Sequence, residues 1–446
     1  MTDLAMLASA MLDAARKAGA EAADVLAVEG TALTVDIRRG KLEQAERAEQ
    51  VELGLRVLMG GRQACVSVSD TSARTLTDAA ERAVAMAREA PQDPYAGLAD
   101  PGQLARHRDA ATLELADPAP EPSAALLEAT AREAEAAAMG VTGIRQVEAS
   151  ASHSRRQVYL AASNGFTGEY ARSSTSVSAV AFVGEGTGME RDWAAEGRTF
   201  RADLPEPEGI GQLAAERALA RLGARKPVTG SYPVLFDERI AQSLIGHLLS
   251  AINGTSIARG SSWLRDALGQ QVLPRGLSLI EEPHRARISG SRLFDAEGLP
   301  TARRLIVENG MLTGWTLDLA TGRKLGMAST ANAARGTGAP PSPATSNVDL
   351  TPGTATRAQL IGQMGTGLLV TSLIGSTINP TTGDYSRGAS GFWVEDGEIA
   401  WPVNECTIAG NLREMLTGMI AANDARAHLA TRVPSLLVEG VTLAGS

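Results

Sequence analysis

The sequence is short of most of the residues that usually announce a chemistry. It has two cysteines, Cys65 and Cys406, far apart and in no metal-binding spacing, which excludes both a disulfide framework and a zinc ribbon. Each reads as a small buried apolar residue. Aromatic residues make up 4% of the chain, too few for a stacking platform that would hold single-stranded nucleic acid. Cationic residues are outnumbered, 42 Lys+Arg against 51 Asp+Glu, and a net charge of −9 argues against a nucleic-acid partner held through its phosphates. No apolar run approaches the roughly 20 residues that span a bilayer, so no membrane association is expected. The start of the chain, with Asp3 and Asp13, reads as an amphipathic helix carrying Leu4, Leu7 and Met11 on one face, not as a signal peptide. A cytoplasmic location is the expectation. Nucleotide motifs are missing too: Gly184-Glu185-Gly186-Thr187-Gly188 lacks the spacing of a phosphate loop and reads as a turn, and there is no Gly-x-Ser-x-Gly elbow.

What is present is a patterned globular chain of 446 residues, 44% hydrophobic and 21% charged, long enough for more than one core. Asp24–Val28 and Thr31–Ile37 are two apolar runs separated by Glu29-Gly30. Val51, Leu53, Leu55, Val57 and Met59 alternate strictly, Gly60-Gly61 permits a turn, and Gln63–Val68 continues as a strand. Asp70 or Ser72 opens a helix to about Ala87, and Ser123–Met139 is a second. Between them, Pro91–Pro122 holds six prolines and reads as a long surface connection. Strand-like runs follow at Ile144–Ser152, Gln157–Ala162 and Phe166–Val183, the last interrupted near Arg172, with a hairpin turn at Ser163-Asn164-Gly165. A helix near Gly209–Leu222 closes this part. The fold class is α+β: residues 1–226 as helices on a mostly antiparallel sheet, and residues 227–446 as a strand-rich domain, barrel-like or a mixed sheet. In the latter, Asn309-Gly310 and Asp396-Gly397 are hairpin turns. Ala328–Asn347, rich in small residues and without an apolar face, is expected to be functional or mobile.

The segment Glu238–Gly254 carries the functional question. Asp237 can cap it as a helix, and Ile240, Leu244, His247, Leu248 and Ala251 recur at spacings of three and four. His247 is one of only five histidines, and no two histidines stand four apart on a helix face. Alone, a histidine in such a stripe is more often packed or hydrogen-bonded than a ligand.

Gly246-His247 and the following Gly254–Leu268, with Met364–Val370, Thr382–Trp393 and Thr407–Leu412, resemble the TldD/PmbA family, the modulators of DNA gyrase, and specifically its PmbA or TldE branch. The resemblance runs over nearly the whole chain and is weakest before Val51. It implies a cytosolic peptidase of two related subunits, in which the TldD-type subunit holds zinc on a His-Glu-x-x-x-His helix with a further cysteine ligand near its C-terminus. That motif falls here on Gln242, Ser243 and His247, and the cysteine position near Val433. Only the last histidine survives. A catalytic zinc needs three protein ligands, an open position for water and a base; Ser243 is no base at neutral pH and Val433 no ligand.

The resemblance therefore implies a non-catalytic, metal-free partner subunit: no catalytic residue, no metal and no cofactor in this chain, and zinc in the partner. The expected partners are a TldD-type zinc-bearing subunit and a peptide substrate, with a homodimer when the TldD-type subunit is absent. Edge strands in the 364–395 region would hold peptide backbone. Asp384, Tyr385, Arg387, Phe392 and Trp393 are the candidates for a peptide channel or an interface, although an Arg387–Asp384 bond across a turn, or simple core packing of the two aromatics, explains the same residue types. The alternative function is a regulatory protein that binds DNA gyrase and has no peptidase role.

Overall fold

The computed structural model describes residues 3–445, the side chains of Thr187 and Ser376 excepted. The chain opens with α1 (Leu4–Lys17), whose first turn is capped by Asp3 accepting from the Met6 N–H at 2.9 Å. Strands β1 (Ala22–Arg38), β2 (Lys41–Met59) and β3 (Arg62–Val68) follow, then α2 (Ala73–Glu89) and α3 (Ala124–Met139). Strands β4 (Ile144–Ala162), β5 (Thr167–Val183) and β6 (Glu190–Arg198) and helix α4 (Pro207–Leu219) complete the first half. All six strands form one antiparallel sheet in the order β3-β2-β1-β4-β5-β6.

Strand length explains the helix arrangement. At 17 residues, β1 runs roughly 55 Å, whereas a helix of similar residue count covers less than half that. One helix pair cannot cover such a sheet. Accordingly α1 and α2 pack over Val25, Ala27, Leu53, Leu55 and Val57 at one end. Helices α3 and α4 pack over Leu33, Val35, Ile37, Val147 and Ala149 at the other, on the same face.

Several strands are longer than their apolar patterns suggest. Glu29-Gly30 does not separate two runs, because Glu29 pairs with Val51 and Gln157, and Gly30 with Gln50 and Arg156. Likewise β4 and β5 pass without a break through Arg156, paired to Arg172. Neighbours on both sides satisfy the backbone where side-chain alternation fails. The proline-rich connection runs over the surface as expected but is pinned there at buried points. Ala99, Ala105, Leu113 and Leu115 are buried, the Ala105 N–H donates to the Gly298 carbonyl at 2.8 Å, and Arg323 donates to the Tyr95 and Leu98 carbonyls at 3.0 and 2.7 Å. It lies between the halves as a strap.

The second half starts with β7 (Gly230–Phe236) and α5 (Glu238–Ala251); the 226/227 boundary falls in the connection before β7. Strand β7 pairs in parallel with Gly367–Ile378 and antiparallel with Leu436–Ala444. Gly367–Ile378 pairs with Asp384–Glu395, which pairs with Glu398–Asn411, and this last strand returns to Leu436–Ala444, so the sheet closes into a barrel. The expectation that residues 364–395 offer an edge holds only in part. Asp384–Glu395 and Leu368–Val370 have neighbours on both sides, whereas among the described residues Ser372–Ile378 pairs only with Asp384–Glu395. A second, five-stranded sheet carries the Arg304–Glu308 and Met311–Leu312 hairpin.

Ala328–Asn347 has no apolar face because it is bound by polar contacts. Arg335, fully buried, reaches Asp24 on β1 and donates to the Gly54 carbonyl at 2.9 Å. Gly54 has to be glycine: a Cβ there would lie 2.2 Å from the Thr337 carbonyl oxygen.

Candidate functional site

Helix α5 begins where Asp237 accepts from the Arg239 N–H at 3.1 Å, and its buried stripe is Ala241, Leu244, Ile245, Leu248 and Ala251. The spacing that placed His247 in the stripe puts it instead at the rim, half-buried, about 60° round the helix from Leu244. Its ring meets Tyr385 edge to face with centroids 5.8 Å apart. Its Nε2 is shielded from solvent and has no hydrogen-bond partner among the described residues. Burial lowers its pKa, and the Arg387 charge lowers it further, so the ring is neutral at pH 7.

The other positions of the zinc motif do not converge on it. Gln242 is exposed, and residues five apart on a helix point roughly 140° from one another. The Ser243 hydroxyl is spent on the Ile240 carbonyl at 2.7 Å. Val433 is buried at 4% exposure in the barrel core, with no donor atom to offer. Among the described residues no three His, Cys, Asp or Glu side chains cluster in a way that could hold a metal ion. The donor set at these positions is one imidazole, which does not fit a zinc site.

Strand Asp384–Glu395 faces α5. Tyr385 and Arg387, two apart, share a face with Ala389 and Trp393. Tyr385 is buried, and its hydroxyl also lacks a hydrogen bond of ordinary geometry among the described residues. Burial pushes it up to about 12, with Arg387 opposing the rise, so it stays protonated. The alternative of an Arg387–Asp384 bond does not hold. Asp384 accepts from Thr382 Oγ1 at 2.6 Å and Asn411 Nδ2 at 3.1 Å, while Arg387 Nε donates to the Gly375 carbonyl at 2.7 Å. Trp393 is core, buried between Tyr232 and Trp401 at centroid distances of 5.0 and 5.6 Å. Phe392 points to the other face, half-buried beside Leu369 and Val394.

A second feature escaped the sequence reading. A cavity of about 610 Å³ lies between β6, the last strand of the first sheet, and the barrel strands, with Trp193, Ile374, Ser390 and Cys406 on its walls. Arg221 forms part of its lining and ties the halves together, donating to Asp192 Oδ2 at 2.7 Å, Ser390 Oγ at 3.0 Å and Thr371 Oγ1 at 3.2 Å. Trp193 is 47% and Ile374 76% exposed, unusual for side chains of their size. Trp193, a tryptophan in a chain with few aromatics, was the one available signal; nothing local to Arg221 points to its partners. Cys406 is no nucleophile, since burial pushes its thiol up to about 11.

Residues 229–445 match the family described as PmbA/TldA metallopeptidase C-terminal domain, residues 114–222 its central domain, and residues 23–87 its domain 1. The metalloprotease PmbA of Escherichia coli O157:H7 is 36% identical over 95% of this chain and 92% of its own length. The chain belongs to the PmbA/TldD family. The PmbA homologue of Haemophilus influenzae, also named a metalloprotease, is 36% identical over 100% of this chain and 96% of its own. A crystal structure from Bacteroides thetaiotaomicron, described as a candidate modulator of DNA gyrase, superposes with a TM-score of 0.91 at 29% identity, covering 100% of each chain. TldE from Thermococcus kodakarensis has the same fold, at a TM-score of 0.83 and 19% identity over 98% of this chain and 100% of its own. Among the described residues no helix of this PmbA/TldD member is long and apolar enough to cross a membrane.

Proposed function

We propose that this chain is the metal-free partner subunit of a TldD/TldE-type heteromeric metallopeptidase that degrades small or unfolded peptides. Zinc and the general base belong to the other subunit. The observation that carries this reading is the fate of α5: Gln242 is turned to solvent, Ser243 is bonded to its own helix, and the position of the distant ligand is Val433 in the core. Hydrolysis needs a polarised water and a base, and these positions supply neither. The cavity beside β6 supports a peptide-holding role, because among the described residues the outer edge of β6 pairs with no strand, and the walls carry exposed apolar side chains.

The test is reconstitution. Mixed with a paralogue carrying His-Glu-x-x-x-His, the chain is expected to restore peptide cleavage that neither subunit shows alone, and on its own to bind no stoichiometric zinc. One equivalent of zinc per chain, or chelator-sensitive cleavage by this chain alone, overturns the reading. The second reading, a regulatory protein that binds DNA gyrase, draws on the description of the Bacteroides thetaiotaomicron neighbour. It requires a direct stoichiometric complex with gyrase subunits that persists when the peptidase partner is removed.

A further inference from the structure

We propose that His247, Tyr385 and Arg387 form a binding site for an anionic oxygen group, a carboxylate or a phosphate, where the family's catalytic subunit would hold a metal. The proposal rests on reading this chain as metal-free.

Three observations carry it. Tyr385 is 2% exposed; its hydroxyl has Arg387 nearby but no hydrogen bond of ordinary geometry, and the solvent-shielded Nε2 of His247 has no hydrogen-bond partner among the described residues. Buried polar atoms are nearly always paired, so two orphans on facing rings call for a ligand or a bound water. Second, Arg387 projects from the same strand face as Tyr385, and its charge acts on both the phenol and the imidazole. Third, no carboxylate pairs with Arg387 among the described residues. Asp384, the nearest acid in sequence, is engaged by Thr382 and Asn411, and no acid contributes to the electrostatics of His247 or Tyr385.

The chemistry of the trio selects the ligand. A phenol held protonated, a neutral imidazole able to present an N–H, and a guanidinium make a donor set with a net positive charge. Such a set disfavours a metal cation and suits an oxygen pair carrying negative charge, for which charge-assisted bonds are the strong ones. Arg387 Nε is already fixed on the Gly375 carbonyl, which holds the guanidinium in place beside the Tyr385 hydroxyl. The two natural sources of this chemistry are the free C-terminus of a peptide and a phosphate group.

The experiment follows the His247 imidazole resonances of the full chain, assigned through His247→Leu, during titration with three probes. These are a hexa-alanine peptide with a free carboxylate, the same peptide amidated, and inorganic phosphate. A saturable shift with the acid peptide or with phosphate, and none with the amide, is expected; which of the two acts identifies the source. Tyr385→Phe and Arg387→Gln are each expected to weaken binding about tenfold, roughly 1.4 kcal/mol. Thermal melts confirm that both variants fold. No shift with either anion, equal binding of acid and amide, or zinc binding to His247 in place of the anions overturns the proposal. Reconstituted peptidase activity is measured separately, so loss of the anion site leaves the metal-free reading standing, and the reverse.

Discussion

Two polar clusters lie out of water in this molecule, and they are finished to different degrees. At the seam between the halves, Asp24 on β1 is enclosed by Arg56, which donates to it at 2.7 Å, and by Arg335, which arrives from the small-residue segment of the other half. Burial works against the Asp24 charge, but the two guanidiniums outweigh it and hold its pKa below the usual value. At α5, His247 and Tyr385 meet edge to face with two polar atoms that lack ordinary hydrogen bonds, and Arg387 stands by without an acid, among the described residues. The first cluster has its charges balanced from within the chain, although Arg56 Nη2 and Arg335 Nε find no hydrogen-bond partner among the described residues, so it belongs to the fold. The second is left short of acceptors, and that shortfall marks a surface meant to meet something else.

On that contrast, the two clusters are expected to respond to mutation in opposite ways. The largest effect is expected from Asp24→Ala, which leaves two buried guanidiniums with no counter-charge. Breaking such a group costs about 3–5 kcal/mol, read as a lowered urea midpoint at unchanged slope. Arg221→Ala is expected to cost somewhat less, about 2–3 kcal/mol, because Asp192 keeps Arg239 at 3.4 Å. Its second readout is faster proteolysis between the halves. A cost under about 0.5 kcal/mol in either case would remove the distinction between a structural seam and an open site.

Glu297 gives a smaller, pH-dependent version of the same test. Burial first, and then the neighbouring Asp295, raises its pKa from 4.5 to about 8, although it accepts from the Leu319 N–H at 2.8 Å. Between those values the folded chain keeps a proton that the unfolded chain has released. Its contribution to stability is therefore lost as pH rises from 4.5 to about 8, by at most about 1.4 kcal/mol per pH unit, and is level above that. Glu297→Gln is expected to flatten this part of the stability profile. A profile identical to that of the parent chain would show that Glu297 is ionised in the fold.

The two clusters also differ in how far the sequence reveals them. The hairpins at Asn309-Gly310 and Asp396-Gly397 were legible because their turns need positive φ, and both pairs adopt it. So were the capped start of α5 and the layering of helices on an antiparallel sheet. The barrel was legible only as one of two alternatives beside a mixed sheet, since its closure depends on Thr407–Ala409 meeting Thr442–Ala444 through backbone bonds that leave no mark on side-chain alternation. Arg335 was illegible for a similar reason: its partner lies 311 residues away, and its own segment shows only small residues. The α5 site was half legible. The positions 242, 243, 247 and 433 show that the metal chemistry is missing, but they do not show that Tyr385 and Arg387 converge on the remaining histidine while Asp384 turns away.

The smallest effect should come from Tyr385→Phe, and its size is what separates the two clusters. Removing a hydroxyl from a satisfied network leaves its former partner stranded and costs about 1–3 kcal/mol. Here the hydroxyl makes no hydrogen bond of ordinary geometry among the described residues, only Arg387 stands near it, and the ring's contact with His247 survives as phenylalanine. Stability is therefore expected to change by less than about 0.5 kcal/mol, or to rise slightly. The same substitution weakens anion binding, so stability and binding move independently. A loss of stability as large as that of Asp24→Ala would mean that Tyr385 has a partner inside the fold, and the α5 cluster would then be a second structural seam.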